Sequence, residues 1–498
     1  MSAIKARESP SSSRALCAAL GCCFVAFALW CSFALPITNP LATLDWNALR
    51  LNGDSSLWTS VASGDEKLVF QDDSASSASC CSIDSDLVGE FGRHNIRLSQ
   101  AHVGSGYRVQ KVLEKAARGE KLRIGLLGGS VSLGHGTNPT TGQRNQYGAV
   151  PYEQQWHQVV YQYLNRTFPL SHTFLMGAKA ATTSDFFEWC WATLIGTELD
   201  LVMIEIAVND DFTASGTFDS SENLLRSLLS LPSAPAVLYV DSFSLVSGSG
   251  KPTLLNGQDA HNSLASYYDV PEISARPALL TAMIRDPALV GPLFNGDKRH
   301  GSARLHRFLG SMVVAYLQQE KCRLDEPEGE QLPGGEWPGR EGLGQVPKVK
   351  MNERWDAPGS HATQPPTCKV AGNGLEPVAV SKDWSLFTWR YSKFYYETTV
   401  ADSSEIVFEA EVRDGGLGQL AVSYLRSRQY NLGKASCAVG KQKAVILDGY
   451  WASSTSLAQT SIVAKGLPLG KHQVRCKTLP MPPGDTAAAF RIMGVMTV

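Results

Sequence analysis

The chain has 498 residues and a formal net charge of −2. That length can bury a large core and accommodates two domains. The near-neutral balance and the lack of a long basic run argue against a nucleic-acid partner.

In chain order, Lys5, Arg7 and Arg14 precede the uncharged apolar run Ala15–Ile37, "ALCAALGCCFVAFALWCSFALPI". A membrane-crossing helix needs about 20 such residues, whereas the apolar part of a signal peptide is usually about 7–15. Residues 1–14 therefore read as a cytoplasmic tail and 15–37 as a transmembrane anchor, with the positive charges kept inside. This predicts a single-pass type II membrane protein of the Golgi, the secretory pathway or the cell surface. Secretion after cleavage is the alternative. Residues 38–95 are Ser- and Asp-rich ("QDDSASSAS") and read as a stalk.

Beyond the stalk, strand and helix patterns alternate. Leu122–Leu127 is an apolar strand, and "PYEQQWHQVVYQYLNRTF" a helix with Pro151 in its first turn. "HTFLMGA" is a strand, "SDFFEWCWATLI" a helix capped by Ser184, and "DLVMIEIAV" a continuous apolar run of the kind buried in parallel sheets. "SENLLRSLLSL", "AVLYVDSF" and a long helix at about Ser302–Gln319 complete the unit. This alternation predicts an α/β domain over residues 96–322, with a parallel sheet covered on both faces. Residues 323–367 are rich in Pro, Gly and Glu and read as a linker. From 368 to 498 the period becomes two, in short strands split by Gly, Pro and Asp turns. That pattern predicts an antiparallel β-sandwich.

Of the eleven cysteines, Cys17, Cys22, Cys23 and Cys31 fall in the apolar run. The other seven are Cys80, Cys81, Cys190, Cys322, Cys368, Cys437 and Cys476. In an oxidising compartment some pair, and Cys437 with Cys476, both in strand-like segments of the last domain, is the favoured pair. No spacing matches a zinc site. Asn165-Arg166-Thr167 is a glycosylation sequon, usable in a lumenal chain.

The stretch "LRIGLLGGSVSLGHG" (Leu122–Gly136) poses the chemical question. It lacks the lysine of a phosphate-binding loop and the glycine spacing of a dinucleotide fold. It is not a G-x-S-x-G elbow either, because Ser132 occupies the last glycine's place. What remains is Gly-Gly-Ser at the end of an apolar strand, by itself an ordinary turn. Two distant segments change that reading. "IEIAVND" puts Asn209 at the carboxyl end of a second strand, where open α/β sheets bind ligands and where an amide can serve an oxyanion. "NGDKRHGS" puts Asp297 three residues before His300, a base with a carboxylate to orient it.

With these residues in hand, the chain resembles the SGNH (GDSL-type) hydrolase superfamily, in its Gly-Gly-Ser branch. "GGSVSLG", "MGAKAATTSDFF", "IEIAVND" and "DKRH" stand for its four blocks, in order, across about residues 100–320. The resemblance implies a three-layer α/β/α sandwich. It implies Ser130 as nucleophile, His300 as base and Asp297 as its orienting partner. The oxyanion donors would be the N–H groups of Ser130 and Ala181 with the amide of Asn209. It requires no cofactor and no metal. The chain departs from the commoner pattern at Gly129, where an acid usually stands, at Ala181 and at Ala207, both usually glycine. The last domain resembles β-sandwiches appended to some members of this branch. The expected activity is hydrolysis of carboxylic esters, acetyl esters of glycans among them, through an acyl-enzyme. The alternatives are polysaccharide O-acetyl transfer and an inactive glycan-binding protein.

Other residues read as structural. His135 belongs to the loop and His306 to the closing helix. Trp189 and Trp191 pack in the core, and Trp384, Trp389 and Trp451 belong to the sandwich rather than to a sugar platform. Asp210 and Asp211 read as caps or surface charges. "HNSLASYYDVPEIS" (His261–Ser274) is a candidate lining of the substrate side.

Overall fold

The computed structural model describes residues 83–137, 144–145, 150–211, 216–246, 254–294, 298–325, 342–389, 393–452, 456–480 and 489–498. The predicted tail and anchor (1–14 and 15–37), and the stalk up to residue 82, lie outside the described residues. Among those described, no helix is long and apolar enough to cross a membrane.

The first part is a mixed α/β unit. Its sheet runs in the order β1 (Gln100–His102), β8 (Glu272–Ser274), β7 (Ala236–Asp241), β6 (Leu201–Glu205), β2 (Arg123–Gly128), β5 (Thr173–Met176). All neighbours are parallel except β1, an antiparallel edge. Two-residue strands β3 (Gly136–Thr137) and β4 (Arg144–Asn145) pair separately. The continuous apolar run of β6 is explained by its two covered faces. Leu201 and Met203 face one cluster, with α3 (Tyr107–Ala117), α4 (Trp156–Thr167) and α10 (Ala303–Asp325). Val202 and Ile204 face the other, with α5 (Ser184–Ile195), α6 (Thr217–Leu229) and α7 (Gln258–Tyr268). In α3 the buried Val109, Val112, Leu113 and Ala116 follow the helical period.

Three local expectations change. Pro151 opens a 3-10 turn, Tyr152–Gln154, and α4 starts only at Trp156. Ser184 is not the cap of α5. Thr183 occupies that position without a capping side-chain bond, and the Ser184 N–H donates to the Asp210 carboxylate at 2.8 Å. The helix is thus capped from another strand end, which no local motif encodes. The domain also begins before residue 96. Helices α1 (Ser85–Phe91) and α2 (Arg93–Ser99) fold onto it, with Leu87, Val88 and Phe91 against the core and Phe91 edge-on to Phe308 at 5.5 Å. Likewise, the described part of the 323–367 linker is pinned to α6. Arg226 donates to Pro347 O at 2.8 Å, and the Met351 N–H to Glu222 at 2.8 Å.

The last part is a two-sheet β unit. One sheet joins β10 (Gly374–Leu375), β9 (Thr367–Ala371), β20 (Phe490–Thr497), β13 (Lys393–Thr398) and β12 (Ser385–Trp389), with β15 (Leu420–Arg426) on β20 and β18 (Leu457–Ala464) on β15. The other runs β11 (Pro377–Val380), β14 (Glu405–Val412), β19 (Gly470–Thr478), β16 (Lys434–Val439), β17 (Val445–Asp448). Among the described strands of this unit, the short β9–β10 pair alone is parallel. One apolar cluster, including Ile406, Phe408, Val422, Val474 and Ile492, fills the space between the sheets. Cys437 and Cys476 face each other on β16 and β19 and are disulfide-bonded. A second disulfide joins Cys190 on α5 to Cys368 on β9. Cys368, Ala421 and Met496 continue the cluster that covers α5, so the two parts share a core.

Candidate active site

Strand β2 ends at Gly128, and Ser130 stands in the turn beyond it. The Gly129 N–H donates to Glu205 O at 3.0 Å, and Ser130 O accepts from the His135 N–H at 3.0 Å. Below it Ser132 is fully buried. Its hydroxyl donates to Glu205 at 2.9 Å and accepts from the Trp156 indole at 3.2 Å, which locks the turn. Ser130 Oγ remains available to His300 Nε2, 2.7 Å away. That is the distance of a nucleophile–base pair.

His300 is carried by the loop before α10. Lys298 O accepts from the Leu245 N–H at 2.8 Å, which ties this loop to the end of β7. On its other side Ser302 Oγ donates to Pro292 O at 2.7 Å. The ring of His135 lies 5.9 Å from that of His300. Asp297 lies outside the described residues.

Asn209 follows β6. Its amide donates to Thr182 O at 2.8 Å, leaving a second N–H for another acceptor. The side chain also explains Gly129, since a Cβ there would stand 2.4 Å from Asn209 Nδ2. Ala181 has φ +57, the left-handed region where a Cβ costs about 1–2 kcal/mol. Neither the Ser130 nor the Ala181 N–H donates to another group among the described residues. The structure therefore gathers Ser130, His300, Ala181 and Asn209 at the carboxyl edge of the sheet.

Behind this edge lies a buried network that sequence reasoning missed. His261 sits between Asp210, at 3.1 Å from Nε2, and Asp241, at 3.2 Å from Nδ1. Tyr239 stacks on it with centroids 4.5 Å apart. Burial opposes a charge on His261, but Asp241 and Asp210 overcome it and raise its pKa to about 10. Burial, reinforced by Asp241, pushes Glu205 and Glu272 up to about 8. A protonated Glu272 can then donate to Asp241. Within the predicted lining stretch His261 and Tyr268 are buried, whereas Asn262, Ser263, Ser266 and Tyr267 are exposed. The one local signal was three acidic or amide residues in a row after β6. His306 accepts the Trp156 N–H at 3.2 Å through Nδ1, at the start of α4. Burial, with His157 and His300 nearby, holds its pKa down at about 3.

The remaining sequence candidates have structural surroundings. Asn165 donates to Tyr161 O at 3.0 Å and accepts from the His172 N–H at 3.1 Å. Trp189, Trp191 and Trp384 are buried, and the Arg426 guanidinium lies 5.2 Å from the Trp451 ring centroid. The Trp389 side chain is outside those described. Among the described residues, no group of three or more His, Cys, Asp or Glu is arranged to hold a metal ion.

A cleft opens where the Ala180–Ala181 loop meets the β unit. Ala180 and Ala181 line one wall, and Lys393, Tyr395, Tyr430 and Arg491 the other. Arg491 is held by Glu397 and lies 4.6 Å from the Tyr430 ring centroid and 5.5 Å from that of Tyr395. Burial lowers Lys393 to about 8.

No protein-family model and no curated protein matches this chain. Solved structures do. A two-domain esterase active on acetylated mannans, co-crystallized with mannopentaose, is 20% identical, with a TM-score of 0.56 over 81% of this chain and 97% of its own. A second structure described as a two-domain esterase active on acetylated mannans is 19% identical, with a TM-score of 0.57 over 81% and 98%. Through both of its parts, this chain shares the fold of these two-domain esterases.

Proposed function

We propose that the chain is a serine esterase of the SGNH type that removes acyl groups, acetyl foremost, from carbohydrate. The observation that carries this reading is the 2.7 Å contact between Ser130 Oγ and His300 Nε2 at the carboxyl edge of the parallel sheet. The shared fold with esterases active on acetylated mannans supports the substrate class.

In this mechanism His300 takes the Ser130 proton as Oγ attacks the ester carbonyl carbon. The oxyanion is held by the N–H groups of Ser130 and Ala181 and by the Asn209 amide. The intermediate collapses, and the leaving sugar oxygen takes the proton from His300. Water, deprotonated by His300, then hydrolyses the acyl-serine and releases the acid. Asp297, three residues before the base, is assigned to orient it. The apolar run at 15–37 supports a type II membrane placement, with the catalytic unit on the lumenal or outer side.

Labelling with a fluorophosphonate probe and peptide mapping tests the nucleophile. The expected result is a single adduct on Ser130, absent in Ser130→Ala, together with acetate release from acetylated mannan. An unlabelled Ser130, or acetate release unchanged in Ser130→Ala and His300→Ala, refutes the assignment.

A further inference from the structure

The loop carrying Ala181 is bonded to a strand of the β unit. Among the described strands β18 pairs with β15 alone, so the N–H groups of its other edge lie outside the ladder. On a strand, residues two apart point their N–H groups the same way. Ala458 and Thr460 are two apart, and both are satisfied by the catalytic part. The Ala458 N–H donates to Ala181 O at 3.2 Å. The Thr460 N–H donates to Asp185 Oδ2 at 2.9 Å, and the Gln459 amide to the same oxygen at 2.9 Å.

Asp185 lies in the first turn of α5, directly after the Ala181 loop, and its other oxygen accepts from the Thr183 hydroxyl. The same helix is bonded to β9 through the Cys190–Cys368 disulfide, and the Thr193 hydroxyl donates to Cys368 O at 3.1 Å. Both ends of α5 are therefore attached to the β unit. Ala181 holds a left-handed conformation that its side chain disfavours, and the Ala458 bond falls on that residue's own carbonyl.

We propose that the edge of β18 sets the oxyanion hole: Ala458 and Thr460, through Ala181 and Asp185, hold the Ala181 N–H in its catalytic orientation. Asp185 is then a positioning residue, and the β unit contributes to the chemical step itself, apart from any contact with carbohydrate. The inference rests on the esterase reading given above.

The test uses the full chain and p-nitrophenyl acetate, a substrate with no sugar for the β unit to bind. Asp185→Ala removes the acceptor for Thr460 and Gln459. Asp185→Asn keeps one carbonyl oxygen in the same place. The expected result is a kcat lowered about 10- to 100-fold in Asp185→Ala with KM within about twofold, and recovery in Asp185→Asn to within about threefold of wild type. These sizes lie at or below the loss from removing one oxyanion donor outright. Should Asp185→Ala not fold, Ala458→Pro removes the single N–H that reaches Ala181 and carries the same expectation. An unchanged kcat, or a change in KM alone, overturns the proposal. Ser130→Ala run in parallel separates the two claims. Turnover that does not depend on Ser130 brings down the esterase reading, whereas Ser130-dependent turnover that survives in Asp185→Ala brings down only the positioning role.

Discussion

A Cβ placed on Gly129 would stand 2.4 Å from the amide nitrogen of Asn209. The absent side chain is thus what lets the Asn209 amide approach the serine turn. An acidic side chain at this position would require a different placement of that amide. Gly129→Ala is predicted to displace the amide, which is also tied to Thr182 O. Stability should fall by about 1–3 kcal/mol, the usual cost of overpacking. Turnover of p-nitrophenyl acetate should fall about 10²-fold, the scale of one lost oxyanion donor. Steady-state kinetics with thermal melts check this, and wild-type kcat in the variant would overturn the proposal that Asn209 is an oxyanion donor.

The buried carboxyl groups behind the site predict a loss of stability toward alkaline pH. Burial and Asp241 raise Glu205 from 4.5 to about 8, so the folded protein binds this proton more tightly than the unfolded chain. The stability tied to it is full below about pH 4.5 and is lost as pH rises toward about 8. Glu205→Gln keeps an oxygen for the Ser132 hydroxyl and has no charge to bury. Its Tm should match wild type near pH 5 and exceed it near pH 8.5 by at least about 2 °C, the shift that about 1 kcal/mol produces. Equal differences at both pH values would show that Glu205 is not buried protonated.

His306 predicts the opposite limb. Its ring is held neutral, with a pKa near 3 against 6.5 unfolded, because it is buried and accepts the first N–H of α4. A depressed pKa gives stability that is present above about pH 6.5 and is lost as pH falls toward about 3. His157, lowered to about 4 by burial, acts in the same direction. In His306→Asn the side-chain oxygen can replace Nδ1 as acceptor without titrating. This variant should melt lower at pH 7, because the smaller side chain leaves a cavity. Its Tm should fall less steeply than wild type between pH 6.5 and 4. An acid limb as steep as wild type would assign the loss to other groups.

The Cys190–Cys368 disulfide closes a sequence separation of 178 residues and bonds α5 to the β unit. Replacing both cysteines by serine should lower stability by about 2–4 kcal/mol, chiefly by freeing the unfolded chain. Chemical denaturation of the double variant under non-reducing conditions checks this. A midpoint equal to wild type would show that packing alone joins the two parts.

Much of this architecture is legible in the chain because it is locally encoded. The continuous apolar run of β6 announces a strand covered on both faces, the spacing in α3 announces one covered side, and the change to period two after residue 367 announces the β unit. Ser130, Asn209 and His300 stand out because each follows or precedes such an element at the sheet's carboxyl edge. Tertiary structure alone decided how these pieces meet. It put Ser130 against His300 across 170 residues and Thr460 against Asp185 across 275. It capped α5 with Asp210 instead of Ser184, sank His261 between two aspartates, and made Gly129 a contact surface for Asn209. Hydrogen bonds and close packing depend on position in space, and a residue's neighbours along the chain carry no record of the partner that a distant loop or strand edge will bring to it.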